Sequence, residues 1–372
     1  MAEIVLENVS KNIGKINVVK SISLTIEDNS VCVLAGPKGA GKTMILNMIA
    51  GLKPPTRGKI FINNNLVNHT SPSKRNIAFI FDDYALYPKM TVYENIAFGL
   101  KMRGVNKKKI LSTIVNAAET LEIEHILGKY PARINSVQSQ RVAIARAIVK
   151  EPQIILFDSP LTTLERTARY ELRGVLKKLQ KKHGWTMIYS SNDPIEAMAI
   201  ADKICLLKDG AVEQIADPFN SFYNPVSKYA AQFMLEPSVN FFDIEIIQKE
   251  NGFYLKTADF ELLFPAQFSP DLAPIAFKKA VLALKAEDIV CLTDETLLGE
   301  TPLEDLAYIR ADILETEFCG GKKAILAGLG ATKFKAQALS SFQNLSINQS
   351  LIFVFDLSEA LLFDPQTGER IL

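Results

Sequence analysis

The chain has 372 residues, too many for one ordinary domain, and 48% hydrophobic against 22% charged residues is a globular composition with ample core. Its 42 basic and 41 acidic residues leave a net charge of +1, which removes any electrostatic case for binding nucleic acid. No stretch approaches the roughly 18 apolar residues of a spanning helix, and the opening MAEIVLENVSK lacks the basic-then-apolar pattern of a signal.

The four cysteines (Cys32, Cys205, Cys291, Cys319) are widely spaced, with no CxxC, and are expected to be buried thiols. The three histidines (His69, His125, His183) have no ligand spacing.

Residues 3–27 alternate in short β-like runs, and VCVLAG (31–36) reads as a buried strand. A helix is expected over Thr43 to Ala50, stopped by Gly51. KIFINNNLV reads as strand, turn and strand, with Asn64 or Asn65 supplying a left-handed turn residue. A strand is expected over Asn76 to Asp82, and helices over Ser112 to Leu127 and Gln138 to Lys150, the second ending at Glu151-Pro152. IILFD is a fully buried strand. A charged helix over Thr167 to Lys182, the strand WTMIYSS, a helix over Pro194 to Ala201 and a hairpin around Asp209-Gly210 follow. Alternating helices and buried strands imply an α/β sheet domain.

The pattern changes near Glu236-Pro237. FFDIEII, FYLKTA, FELLFP, AVLALKA, ADILETEF, AILAGL and LIFVFDL are short Phe-, Val- and Ile-rich runs punctuated by Gly and Pro, an all-β pattern of one or two small barrels. The expected division is residues 1–235 for the α/β domain and 236–372 for the β domain.

Gly36 to Thr43 reads GPKGAGKT, a complete GxxxxGK[ST] loop between a strand and a helix. Its glycines let backbone N–H groups converge on phosphate oxygens, and the helix after it presents its positive end. Gly36, Pro37, Lys38, Gly39, Ala40 and Gly41 form that cradle. Lys42 is expected to neutralise the β and γ phosphates, and Thr43 to hold Mg²⁺ together with Asp158 at the end of IILFD. ATP and Mg²⁺ are the expected ligands.

With those motifs go AGLKPPTRGKIFI, YALYPKMTVYENIAFGLKMRG, QRVAIARAIVKEP, EAMAIADKICLLKDG and LFDPQTGERIL. The chain resembles the ATPase subunits of bacterial ATP-binding cassette (ABC) importers for carbohydrates and polyols, of the maltose, glycerol-phosphate and glycerol type. The resemblance covers nearly the whole length. It implies an α/β P-loop NTPase (ABC ATPase) domain followed by an all-β OB-like (TOBE) regulatory domain. It also implies a peripheral position on the cytoplasmic face of the inner membrane, with the segment Tyr84 to Asn95 forming the groove that receives the transmembrane permease subunits. The bland reading of Leu86, Met90 and Val92 in that segment is ordinary core.

The chain departs from the family at the positions that contact ATP. Ile13 stands where an aromatic ring stacks on adenine. Asp82 replaces the glutamine that senses Mg²⁺ and water, keeping an oxygen for the metal. The signature LSGGQ reads Ile134-Asn135-Ser136-Val137-Gln138, in which Asn135, Ser136 and Gln138 remain candidate nucleotide contacts. Ser159 holds the place of the catalytic glutamate, Glu165 that of the D-loop aspartate, and Asn192 that of the switch histidine. In LALKAEDI, Glu287-Asp288 replaces the family's Arg-Pro-Glu of the regulatory domain. A serine cannot polarise water as a carboxylate does, and losing a positioned base costs about 10²–10⁴ in rate.

No intact catalytic residue is therefore expected in this chain. Paired with an intact paralogue, its own phosphate loop would hold ATP and hydrolyse it slowly, while the partner's machinery faces Asn135 to Gln138. Two other readings remain: a regulatory or ligand-sensing subunit without transport coupling, and an active homodimeric sugar-importer ATPase.

Overall fold

The computed structural model describes residues 2–235, 238–250, 252–264, 278–292, 307–319, 322–338 and 345–372. The Glu236-Pro237 pair and the Cys319 side chain lie outside the described residues. The chain divides into two units, Met1–Tyr223 and Asn224–Leu372.

The first unit opens with a long hairpin of β1 (Ile4–Ile13) and β2 (Ile16–Ile26), in which Ile13 faces Ile16 across the tip. The fully buried β3 (Val31–Ala35) leads through the phosphate loop into α1 (Lys42–Ala50), which Gly51 ends in a left-handed conformation (φ 80°). A hairpin of β4 (Arg57–Ile62) and β5 (Asn65–Leu66) follows. Its left-handed residues are Asn63 and Asn64, so of the two expected candidates Asn64 turns and Asn65 is already strand. The strand expected over Asn76 to Asp82 is shorter. Asn76 is left-handed (φ 50°), β6 runs Ile77–Ile80, and Asp82 lies in the turn beyond.

The helix α2 (Val92–Met102) was not expected from periodicity. A capping box starts it, Thr91 accepting from the Glu94 backbone while the Glu94 carboxylate accepts from Thr91. The next helix begins earlier than expected and ends earlier. Asn106 accepts from Lys108 N–H to open α3 (Lys107–Leu121), and Glu122 closes it by turning left-handed (φ 55°). In the same way α4 covers Ser136–Ile148 rather than Gln138 to Lys150, because Asn135 and Gln138 cap each other. The strand β7 (Ile154–Asp158), α5 (Arg166–His183), β8 (Thr186–Ser191) and α6 (Pro194–Ile200) fall within a residue or so of expectation. The hairpin of β9 (Lys203–Lys208) and β10 (Ala211–Ala216) turns at Asp209-Gly210, and the short α7 (Pro218–Tyr223) closes the unit.

Two sheets result: an antiparallel one ordered β2-β1-β4-β5 and a six-stranded one ordered β10-β9-β3-β8-β7-β6. The second is parallel from β9 to β6 and carries the site at the C-terminal ends of β3, β6, β7 and β8. Such ends are where ligands bind in open parallel sheets.

The second unit begins with α8 (Lys228–Leu235), which packs on strands of its own unit. The strands are β11 (Val239–Lys249), β12 (Gly252–Lys256), β13 (Glu261–Leu263), β14 (Lys279–Lys285), β15 (Ile289–Leu292), β16 (Tyr308–Cys319), β17 (Lys322–Leu329), β18 (Thr332–Ala338), β19 (Ser350–Phe355) and β20 (Leu361–Phe363). They form a five-stranded sheet, β13-β12-β11-β14-β20, and a closed barrel, β15-β18-β17-β16-β19. An aromatic cluster of Phe242, Phe260, Phe334 and Phe355 lies in the shared core. The all-β expectation holds, with the form of a TOBE-like module. The strands missed by sequence (β15, β18, β20) are short or pair with distant segments. Glu287 and Asp288 sit in a 3₁₀ turn between β14 and β15, where burial raises the Asp288 carboxyl to about 6. Cys32, Cys205 and Cys291 are buried free thiols.

Candidate functional site

Gly36, Gly39 and Gly41 all take positive φ (143°, 87° and 99°), so the loop curls over the start of α1. A Cβ on Gly36 would lie 2.6 Å from the Leu207 carbonyl oxygen, which explains why only glycine fits there. Lys42 is 6% exposed, and its ammonium donates to the carbonyls of Gly36 and Pro37 at 2.6 and 2.7 Å. Burial pulls its pKa down to about 8, against the opposing attraction of Asp158. A desolvated cation held only by carbonyls is poised to exchange them for anionic oxygens.

Asp158, at the end of β7, is buried, and its Oδ1 accepts from Thr43 Oγ1 at 3.0 Å and from Ser190 Oγ at 2.8 Å. Ser190 on β8 also accepts the Ser159 backbone N–H at 2.8 Å. Ser159 is itself left-handed (φ 46°), a strained conformation for a residue with a side chain. The parallel β7–β8 register, with Asp158 opposite Ser190, sets this network. Ser190 was not among the expected residues. The only signal for it was a hydroxyl near the end of a buried strand.

Lys42, Thr43, Asp158 and Ser159 line an open cleft of about 700 Å³ together with Val18, Lys38, Gly39, Gly41, Met44, Asp82, Asp83, Thr162, Thr163 and Asn192, with Ser190 buried behind them. The expected Lys38, Gly39, Gly41, Lys42, Thr43, Asp82, Asp158, Ser159 and Asn192 therefore share one wall-to-wall site, while Pro37 and Ala40 shape the loop without lining the cleft. Asn135 and Gln138 lie apart from it, beside a separate shallow pocket with Val137, Glu122, Glu124, His125 and Arg141. Their side chains are committed to capping: Asn135 Oδ1 accepts from Gln138 N–H at 2.8 Å. Glu165 precedes α5 as its N-cap without a side-chain hydrogen bond.

Asn192 is held between two anchored neighbours. Ser191 donates to the buried Glu196 carboxylate, which also accepts from Tyr189 at 2.7 Å, and Asp193 caps α6 through Ile195 and Glu196 N–H. Thr43 and Asp158 supply the hard oxygen donors that suit Mg²⁺. Among the described residues no cluster of three or more His, Cys, Asp or Glu could hold a metal by itself, so a cation there would complete its shell with phosphate oxygens and water.

The segment Tyr84 to Asn95 leaves this cleft. Tyr84 and Ala85 are left-handed (φ 61° and 44°), and Arg146 of α4 donates to their carbonyls at 2.8 and 2.6 Å. The same guanidinium lies 5.5 Å from the Tyr87 ring centroid. Asn95 is fully buried, donates to the carbonyls of Tyr87, Met90 and Thr91, and accepts from Tyr87 N–H. Val92 is core, as the bland reading had it, whereas Leu86 and Met90 are half-buried and Tyr87 is 41% exposed. No helix among the described residues is long and apolar enough to cross a membrane.

The family model described as ABC transporter matches residues 19–162. The chain is 34% identical to the trehalose/maltose import ATP-binding protein MalK of Thermococcus litoralis over the full length of both. It is 44% identical to the sn-glycerol-3-phosphate import ATP-binding protein UgpC of Vibrio cholerae, covering 95% of this chain and 91% of that one. Among solved structures, a dimeric ATP-binding cassette in a post-hydrolysis state with ADP and Pi superposes with a TM-score of 0.54 at 30% identity, over 58% of this chain and 98% of that one.

Proposed function

The chain belongs to the ABC transporter family of import ATP-binding proteins, and from that premise we propose that it is the MgATP-binding, weakly hydrolytic subunit of an importer for a sugar, polyol or glycerol phosphate. The observation that carries this reading is the pairing of a complete phosphate loop around Lys42 with a serine at the tip of β7.

ATP enters with its phosphates against the Gly36–Thr43 loop. Lys42 would give up the carbonyls of Gly36 and Pro37 for phosphate oxygens, and Thr43 and Asp158 would hold Mg²⁺, which would supply charge neutralisation at the phosphates. Ser159 and Asn192 line the same cleft, and neither can take a proton from water at neutral pH. A missing base of this kind costs about 10²–10⁴ in rate, roughly 3–5 kcal/mol of barrier.

The chain then works beside a second ATPase subunit with intact residues, and docks on permease subunits through Tyr84 to Asn95. The ordered backbone of that segment supports the docking role, because Arg146 and Asn95 hold its carbonyls in place. The test is reconstitution of the permease with this chain alone, with an intact ATPase paralogue alone, and with both. Transport is expected only with both. Fast steady-state ATPase by this chain alone, or full transport without it, overturns the reading.

A further inference from the structure

The cleft contains three carboxylates, Asp82, Asp83 and Asp158. Two are engaged. Asp158 accepts from Thr43 and Ser190 and lies buried beside Lys42. Asp83 accepts the Ala85 backbone N–H at 3.1 Å and lies in the field of Arg146. Among the described residues, no hydrogen bond or ion pair engages the Asp82 carboxylate, and Asp82 is exposed on the cleft wall.

Its place in the sheet matters. The strands β6 and β7 are parallel neighbours whose last registered pair is Ile80 with Phe157. Asp82 follows Ile80 by the same two residues by which Ser159 follows Phe157. Beyond those adjacent strand ends both residues line the same cleft as Lys42 and Thr43. The tip of β7 carries a hydroxyl, and the tip of β6 carries a free carboxylate.

We infer that Asp82 is the catalytic base for the slow ATP hydrolysis this chain retains, taking over at the β6 tip the work that Ser159 cannot do at the β7 tip. The water oxygen bonds to the γ-phosphorus, the bond from that phosphorus to the bridging oxygen of ADP breaks, and the water's proton passes to the Asp82 carboxylate. The products are ADP and inorganic phosphate. The inference rests on the proposal that MgATP occupies this cleft.

The same carboxylate opposes ATP electrostatically when no metal is present, because it adds negative charge to a site facing the phosphates. Asp82→Asn should therefore have two separable effects. It removes the base, and it removes the repulsion.

The experiment uses the full chain in excess over radiolabelled ATP, in single turnover across a range of pH, with binding measured separately by calorimetry. For Asp82→Asn we expect hydrolysis slowed about 10²-fold or more. Metal-free ATP should be bound more tightly, and MgATP affinity, measured beside the rate, separates a loss of the base from a loss of a metal contact. Asp82→Glu should restore part of the rate. An Asp82→Asn rate equal to wild type, or no single-turnover hydrolysis by a wild-type chain that binds MgATP, overturns the inference while leaving the binding role intact. Failure of the wild-type chain to bind MgATP overturns both.

Discussion

The hydroxyl of Ser190 donates to Asp158 Oδ1 at 2.8 Å, the oxygen that also accepts from Thr43. The strand that lies between β3, which leads into the phosphate loop, and β7 thus fixes the carboxylate at the tip of β7. Replacing Ser190 by Ala leaves Asp158 with one fewer donor and removes the partner of the Ser159 N–H. We expect a loss of about 1–3 kcal/mol in denaturant unfolding, together with a higher Mg²⁺ concentration for half-maximal ATP binding. An unchanged Mg²⁺ requirement would show that Ser190 is structural only.

Ser159→Glu places a carboxylate at the β7 tip. Single-turnover hydrolysis should rise by about 10²–10⁴. Because position 159 has φ 46°, a longer side chain does not relieve the backbone strain, and the melting temperature should not increase. Rate and melting temperature together check this, and a rate unchanged from wild type would count against the weakly hydrolytic reading.

Lys42 makes the nucleotide-free chain sensitive to alkaline pH. Its folded pKa is about 8 against an ordinary value of 10.5. Between those values the unfolded chain keeps a proton that the folded chain has released, so stability rises with pH across that window and is lowest below it. Melting temperature followed from neutral to alkaline pH should show this rise in wild type and lose it in Lys42→Met. MgATP restores the ammonium, so binding near pH 8 should take up protons, seen as a buffer-dependent calorimetric enthalpy.

Arg75 is 6% exposed and donates to the carbonyls of Met48, Ile49, Val67 and Thr70, joining the end of α1 to the segment after β5. The Met48 and Val67 carbonyls also accept from the backbone N–H groups of Gly51 and Thr70, so Arg75→Met removes a charged donor from all four carbonyls without leaving all of them unpaired. The expected loss is about 1–3 kcal/mol. Gly51→Ala should act in the same direction, since its Cβ would meet the guanidinium at 2.6 Å in a left-handed backbone. Equilibrium unfolding of both variants is the check.

Arg146→Lys cannot donate to both the Tyr84 and Ala85 carbonyls from one planar fork. Affinity for the permease subunits should fall while MgATP affinity of the isolated chain stays as it was. A parallel loss of nucleotide binding would place Arg146 in the ATP site instead.

Local chemistry was what the sequence disclosed best. The phosphate loop, the buried strands β3 and β7 and the Gly51 stop depend on neighbouring residues alone, and all are read directly from the chain. The start of α2 depends on a reciprocal Thr91–Glu94 bond hidden by a segment that reads as docking surface, and α3 was displaced because Asn106 and Glu122 set its ends. Ser190 was illegible for a different reason. Its role follows from the pairing of β8 with β7, and no pattern within YSSND reveals which strand lies alongside. Likewise Asp82 and Ser159 are far apart in sequence, and the β6–β7 pairing brings the segments that carry them to one cleft.

Helix α4 starts at the Asn135–Gln138 cap and carries Arg146 near its other end. Its 13 residues make a strut of about 20 Å, without proline or glycine to bend it. A push on Tyr84 and Ala85 from outside would reach the opposite tip as displacement of the whole rod rather than as local yielding. The two ends of α4 are thus tied by a single stiff element, from the Asn135–Gln138 cap to the Arg146 anchor.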